Sequence, residues 1–414
     1  MQIVEAGRPA PVRASEIAHF GTVVLLVSTG FGLAVLSTKL TERLPIPCPA
    51  IFLLAAAAAS DIWPSLYQHA PIRSVERIAV VALIVILFNG GIDIGWPRFR
   101  QSAFPIVALG VFGTFMTAGI VMLFAHFALG FGWTLAGVAG AALAPTDPAV
   151  MFSVLGVREI RERSGTTLEG EAGMNDPAGI ALMIGMIELA THPGASATVV
   201  AREFAVEMGV GVALGIVGGW LLATCLRRIR LPNASLYPLL ALVLAAALYG
   251  GVSLLRGSGF LAVFLAGLIV GGRRFHRRSN VAGFTSPLAS LAEVTVFVAL
   301  GLTVALSSLS WRTWFEGVAL MLALAGVARP ISVVASLLGA GFSWAERAFL
   351  AWSGLKGTVP ILLAAFAVLE RVEGAERIYG VVFVVVLLSV VCQGTLVGVV
   401  ARRLGIMRAH PSPR

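Results

Sequence analysis

The chain contains four aspartates, Asp61, Asp93, Asp147 and Asp176, and two of them, Asp147 and Asp176, fall inside apolar segments. A charged side chain at mid-membrane costs about 2.5–3.5 kcal/mol on insertion scales, so such a residue usually faces a cavity or has a partner. Asp176 belongs to residues 168–187, a helix-compatible stretch that also holds Glu171, Asn175 and Pro177. Five residues are about 140° of helix rotation, so Glu171 and Asp176 face different neighbours. Arg329 is the natural partner of Glu171, because a guanidinium keeps its proton and is costly to bury alone. That pair reads as a structural ion pair. Asp147 and Lys356 lie in segments broken by Pro and Gly, and Lys39 is the only other lysine. A helix interrupted in a membrane exposes a positive N-terminal end and a negative C-terminal end. A carboxylate at the first kind of end and an ammonium at the second would compensate both; the alternative for Lys356 is titration during function. Asp176 is then the carboxylate left without a cation. It reads as a group that holds either a proton or a metal cation, with a hydrogen-bonded structural carboxyl as the alternative.

These residues are carried by a strongly apolar chain. Of 414 residues, 58% are hydrophobic and 12% are charged, roughly half the charge of a soluble domain. Spans are expected at 17–38, 47–61, 74–92, 103–128, 132–156, 168–190, 204–226, 235–254, 258–272, 284–307, 313–340, 347–369 and 377–401, 13 in all. The first reads as a retained helix rather than a signal peptide, since no small-residue cleavage site follows it. With the N-terminus outside, inner segments hold 19 Lys and Arg residues and outer ones 9. That bias favours an external N-terminus and a cytoplasmic C-terminus. It also accounts for the net charge of +9 by topology rather than nucleic-acid binding. Cys48, Cys225 and Cys392 are scattered and imply neither a disulfide framework nor a metal cluster. A single transmembrane domain over residues 1–414 is expected, without a soluble regulatory domain and without a cofactor.

The fifth span contains Ala144-Pro-Thr-Asp-Pro148 and the twelfth Gly354-Leu-Lys-Gly-Thr-Val-Pro360. Pro removes a backbone donor and Gly weakens the helix, so both spans should be interrupted. They are seven spans apart and cross in opposite directions. Interrupted helices at corresponding places in two inverted halves point to a transporter's substrate site. The fold class expected is therefore an all-α membrane protein of about 13 helices, in two inverted-topology repeats whose interrupted helices cross at mid-membrane. A cation channel would share the buried carboxylate but would lack proton coupling. An intramembrane hydrolase finds no support, since nothing ties His126 or His192 to a nucleophile.

The motifs at 144–148, Leu168-Glu-Gly-Glu171 with Asn175-Asp-Pro177, the Gly257–Val270 run, Ala328-Arg-Pro330 and residues 352–360 resemble, in this order, the monovalent cation:proton antiporter family of NhaP proteins and sodium/proton exchangers. The resemblance covers nearly the whole chain. It implies a homodimer in which a core bundle (spans 4–6 and 11–13) moves against a dimerisation bundle. It also implies that Asp176 binds cation or proton, that Asn175 and Thr146 assist, and that Glu171 and Arg329 form the family's ion pair. Asn-Asp in place of Asp-Asp implies electroneutral exchange of sodium, or of potassium or lithium, across a bacterial inner membrane. Three positions depart from the family pattern: neutral Asn89, a candidate ion-path residue, where an acid is frequent; Ala172 where Ser is frequent; and Lys356 where Arg is usual. The spelling around Asp176 also resembles the potassium/proton subgroup.

Overall fold

The computed structural model describes Gly32 and residues 47–63, 71–155, 160, 162–192, 194–273 and 278–407. All of these except Gly32 belong to one compact unit, Pro45–Arg414. Apart from Gly32, the expected span 17–38 lies outside the described residues. The described residues are almost all helical or in the turns between helices, the one β-type pairing among them being an isolated bridge between Ile160 and Met407.

In chain order the helices are α1 (Cys48–Ile62), α2 (Ile72–Gln101), α3 (Ala103–Leu129), α4 (Trp133–Leu143), α5 (Pro148–Leu155), α6 (Glu162–Thr191) and α7 (Ala197–Arg228). They continue as α8 (Leu236–Leu254), α9 (Gly259–Gly272), α10 (Arg278–Gly301), α11 (Trp311–Ser336), α12 (Trp344–Trp352), α13 (Thr358–Leu369) and α14 (Ala375–Arg403). Helices α4 and α5 are the two halves of one expected span, and α12 and α13 the halves of another. Every expected span from 47–61 onward coincides with one of these segments, and both expected interruptions are present.

Burial follows polarity in the sense a bilayer demands. Among the described residues, eight helical segments are long and apolar enough to cross a membrane, and α1, α9 and α13 are shorter apolar helices. The 30-residue α6 is not in that set, because Glu169, Glu171, Asn175 and Asp176 lower its hydropathy. Yet nearly all of its residues from 164 to 186 are buried, against α2, α3, α4 and α7. The polar helix sits inside, and large apolar side chains such as Val217, Trp220, Leu221 and Val243 face outward. Without water in the hydrocarbon, polar side chains are stable only where protein or a wet cavity meets them.

Small residues set the closest helix contacts. A Cβ on Gly267 or Gly271 of α9 would overlap the carbonyl oxygens of Phe88 and Ile92 on α2. On its other side, α9 presents Ala262 and Ala266 to Gly215 and Gly219 of α7, four residues apart. Such small-xxx-small stripes let backbones approach within van der Waals contact, the main attraction between helices in lipid. They explain how a 14-residue helix is held between two long ones. Helix α2 is broken at Gly95, where φ is 67°, just before Pro97. Three spans carry a π-turn, at Ala108–Gly113, Leu324–Ala328 and Ser389–Gln393; two of these bear directly on the site described next.

Gly267→Ala is expected to lower the thermal midpoint of the detergent-solubilised protein, overpacking costing about 1–3 kcal/mol. Gly250→Ala, where nothing lies within 4 Å of the added Cβ, should leave the midpoint unchanged or raise it.

Candidate functional site

The two interruptions meet. The Asp147 amide donates to the Leu355 carbonyl at 2.8 Å, a backbone bond from one break to the other. Lys356 Nζ donates to the carbonyls of Ala144 and Pro145, at 3.0 and 2.9 Å. Those carbonyls close the C-terminal end of α4, so the ammonium sits where the helix dipole is negative. Asp147 Oδ1 accepts from the Ala149 amide at 2.9 Å, and the Thr358 amide also bonds to this carboxylate. One carboxylate thus serves the N-terminal ends of both α5 and α13. A Cβ at Gly357 would overlap the Asp147 carboxylate, so a glycine is required there.

The remaining backbone of the second break is served by α14. The Lys356 amide donates to Ser389 Oγ at 2.9 Å, Ser389 Oγ to Gln393 Oε1 at 3.1 Å, and Gln393 Nε2 to the Trp352 carbonyl at 2.6 Å. Ser389 and Gln393 bound the π-turn of α14. Sequence reasoning missed both, although two polar residues one helical turn apart in an apolar span were a usable signal.

Glu171 and Arg329 form a bidentate pair, Nη1 to Oε1 at 2.5 Å and Nη2 to Oε2 at 2.8 Å. Both residues are at most 3% exposed. The π-turn Leu324–Ala328 leads directly into Arg329, and a Cβ at Gly354 would overlap the guanidinium. Thr146 Oγ1 donates to Glu171 Oε1 at 3.4 Å, and Asn175 Nδ2 donates to Thr146 Oγ1 at 2.7 Å. Asn175 and Thr146 are therefore tied to the ion pair. Neither lines the cavity that Asp176 faces, although Asn175 Oδ1 is buried without a hydrogen-bond partner.

That cavity measures ≈ 370 Å³ and is lined by Asn89, Asp93, Asp147, Glu169, Asp176 and Glu293 among others. Asp176 is 7% exposed and makes no hydrogen bond or salt bridge among the described residues. The charges that act on it are those of Asp147, Lys356 and Glu171. Asn89 accepts from Thr285 Oγ1 at 2.8 Å and donates to Asp93 Oδ2 at 2.7 Å. Asp93, expected just beyond the span 74–92, lies inside α2, which continues to Gln101. Glu169 and Glu293 were also missed; counting every acid in an apolar stretch, rather than aspartates alone, would have found them. Ala172 lines the cavity with no polar atom on its side chain.

An all-helical membrane protein whose two interrupted helices cross beside a buried, unpaired carboxylate has the architecture of a secondary transporter. More narrowly, the chain belongs to the sodium/hydrogen exchanger family, whose transmembrane region matches residues 22–403. It is 32% identical over 383 residues to a K(+)/H(+) antiporter NhaP2 of Shewanella sp. (strain MR-4), covering 92% of this chain and 66% of that protein. It is 27% identical to the Na(+)/H(+) antiporter ApNhaP of Aphanothece halophytica, covering 93% and 74% respectively. The chain thus spans about two thirds of the length of the NhaP2 relatives, 66% of this one. Its fold matches that of the sodium proton antiporter MjNhaP1 from Methanocaldococcus jannaschii, with a TM-score of 0.78 and 23% identity over 93% of this chain and 99% of that one.

Glu171→Ala and Arg329→Ala should each lower thermal stability, by about 3–5 kcal/mol, because each strands a buried charge. Melting of the purified variants in detergent is the check; wild-type midpoints in both would contradict the pairing.

Proposed function

We propose that the chain is a secondary antiporter that exchanges a monovalent cation for protons through Asp176. The observation that carries this is the position of Asp176: buried, facing a cavity, and left without a hydrogen bond or ion pair beside two crossing helix breaks whose own charges are satisfied. A bare carboxylate in such a place has two ways to shed its cost, a proton or a cation, and they exclude each other. Asp147 and Lys356 compensate the helix ends, and Glu171 with Arg329 braces the core. Asn175 stands beside Asp176 in the cation- and proton-binding set and is tied through Thr146 to the ion pair. By the family resemblance Thr146, which does not line the cavity as seen here, contributes oxygen when a cation is bound. Asn89 lines the ion path. No covalent step is needed.

Coupling follows from occupancy. A ligand shifts a conformational equilibrium only through its differential affinity for the two states. Asp176 carrying a proton or a cation crosses an apolar barrier; the bare anion does not. With one exchanging carboxylate beside neutral Asn175, one proton moves per monovalent cation and the cycle is electroneutral. The moving part is the core bundle of spans 4–6 and 11–13, related by inverted topology and sliding against a dimerisation bundle of the other spans; the homodimer rests on the family resemblance. The basic helix ends at Arg98, Arg227, Arg228, Arg402 and Arg403 support a cytoplasmic C-terminus, in a bacterial inner membrane.

Sodium is the first substrate by family, and potassium the second. The potassium reading is favoured by the NhaP2 relatives, which are named K(+)/H(+) antiporters.

Asp176→Asn should abolish cation-driven proton movement in proteoliposomes while leaving the thermal midpoint close to wild type. Wild-type exchange in that variant, measured with sodium, potassium and lithium in turn, would end this reading.

A further inference from the structure

Helix α10 brings four residues to the cavity, Ser286, Ala289, Ser290 and Glu293. Their spacing of three, one and three residues places them on a single helical face. Helix α10 packs mainly on α1, α2 and α8, and the cavity separates this face from Asp176 on α6. Its polar edge is therefore unusual: small residues leave room along the face, and a carboxylate stands at its far end. Glu293 lies fifteen residues into α10, and Asp176 fourteen residues into α6, which sets them at similar depth if the two helices cross in the same sense.

Glu293 Oε1 is buried and has no hydrogen-bond partner, and the charge that acts on Glu293 is that of Asp147. The two acids differ in a way that matters. Asp147 is engaged by the amides of Ala149 and Thr358, whereas Glu293 has no hydrogen bond or ion pair among the described residues. A carboxylate with an enclosed oxygen and no donor beside it sheds its cost either by taking up a proton or by taking a cation that enters the cavity.

We propose that Glu293 is a cation-recruiting ligand on the α10 side of the cavity, holding the monovalent cation on its way to Asp176. This rests on the exchange reading for Asp176 and adds a second station to it. The small-residue face of α10 is the track and Glu293 is its charged stop. Glu293 and Asp176 stand on different helices and line the same cavity, so a cation held at Glu293 occupies a station separate from Asp176. Glu293 thereby sets cation affinity on the side to which this cavity opens, and it does not carry the exchanged proton.

The test is cation-driven exchange by the full chain in proteoliposomes, with sodium and potassium each titrated. Glu293→Gln is nearly isosteric and should raise the apparent KM about tenfold, removing one charge interaction at short range, with the maximum rate largely kept. Glu293→Asp, which retains the charge, should restore most of the affinity. A KM unchanged in Glu293→Gln, or raised equally in both variants, overturns the proposal. Ser290→Lys, at an exposed position on the same face, provides an independent check: it should raise KM by repelling the cation, and an unchanged KM there also counts against the track. Retained exchange in Asp176→Asn would instead strike the underlying reading, and the two failures are distinct.

Discussion

Two helices interrupted at mid-membrane create a demand that the rest of this structure answers. Each break frees backbone groups and exposes the ends of four helix segments where water is scarce. An unsatisfied amide or carbonyl in hydrocarbon costs several kcal/mol. The protein meets the demand with few side chains: Asp147 on two N-terminal ends, Lys356 on one C-terminal end, and Ser389 with Gln393 on the second break. The glycine at 357 exists so that Asp147 can reach, and the π-turn of α14 begins and ends on the two residues that reach back.

Once these groups are engaged, the buried charges fall into two kinds. Glu171, Arg329, Asp147 and Lys356 are each held by partners in geometry that rigidifies the crossing. Asp176, Glu293 and Glu169 have no hydrogen bond or ion pair among the described residues. The proposed function rests on this contrast, since an unengaged carboxylate has the most free energy to gain from an arriving ion. The engaged ones make that arrangement reproducible by fixing the backbone on which Asp176 and its cavity depend. Gly173, one turn before Asp176, packs directly on Phe264 of α9, and both line the cavity, so the carboxylate is carried by a helix held fast on the same side.

Much of this was legible in the sequence, for a simple reason. Membrane burial makes charges rare, so each one inside an apolar stretch carries information. Asp147, Asp176, Glu171, Arg329 and Lys356 stood out on that ground, and Pro145, Pro148, Gly354 and Gly357 marked both breaks. What was harder to read depends on rotation about a helix axis. Asn175 and Thr146 are adjacent in sequence to Asp176 and Asp147, yet Asn175 donates to Thr146 and Thr146 to Glu171 rather than into the cavity. Glu293 and Glu169 reach the cavity from helices whose facing could be decided only by packing. Asp93 was placed outside a span because the apolar run ends before the helix does: a cavity lined by polar side chains lets α2 carry polar residues further than hydropathy alone suggests.

The central claim is that a proton and a monovalent cation occupy the same carboxylate in turn. The most direct measurement is the apparent KM for the cation in proteoliposomes as a function of pH on the cation-loading side. Shared occupancy predicts competition: KM rises as protons accumulate, while the rate at saturating cation stays constant. A KM independent of pH, with protons altering only the maximum rate, would contradict it.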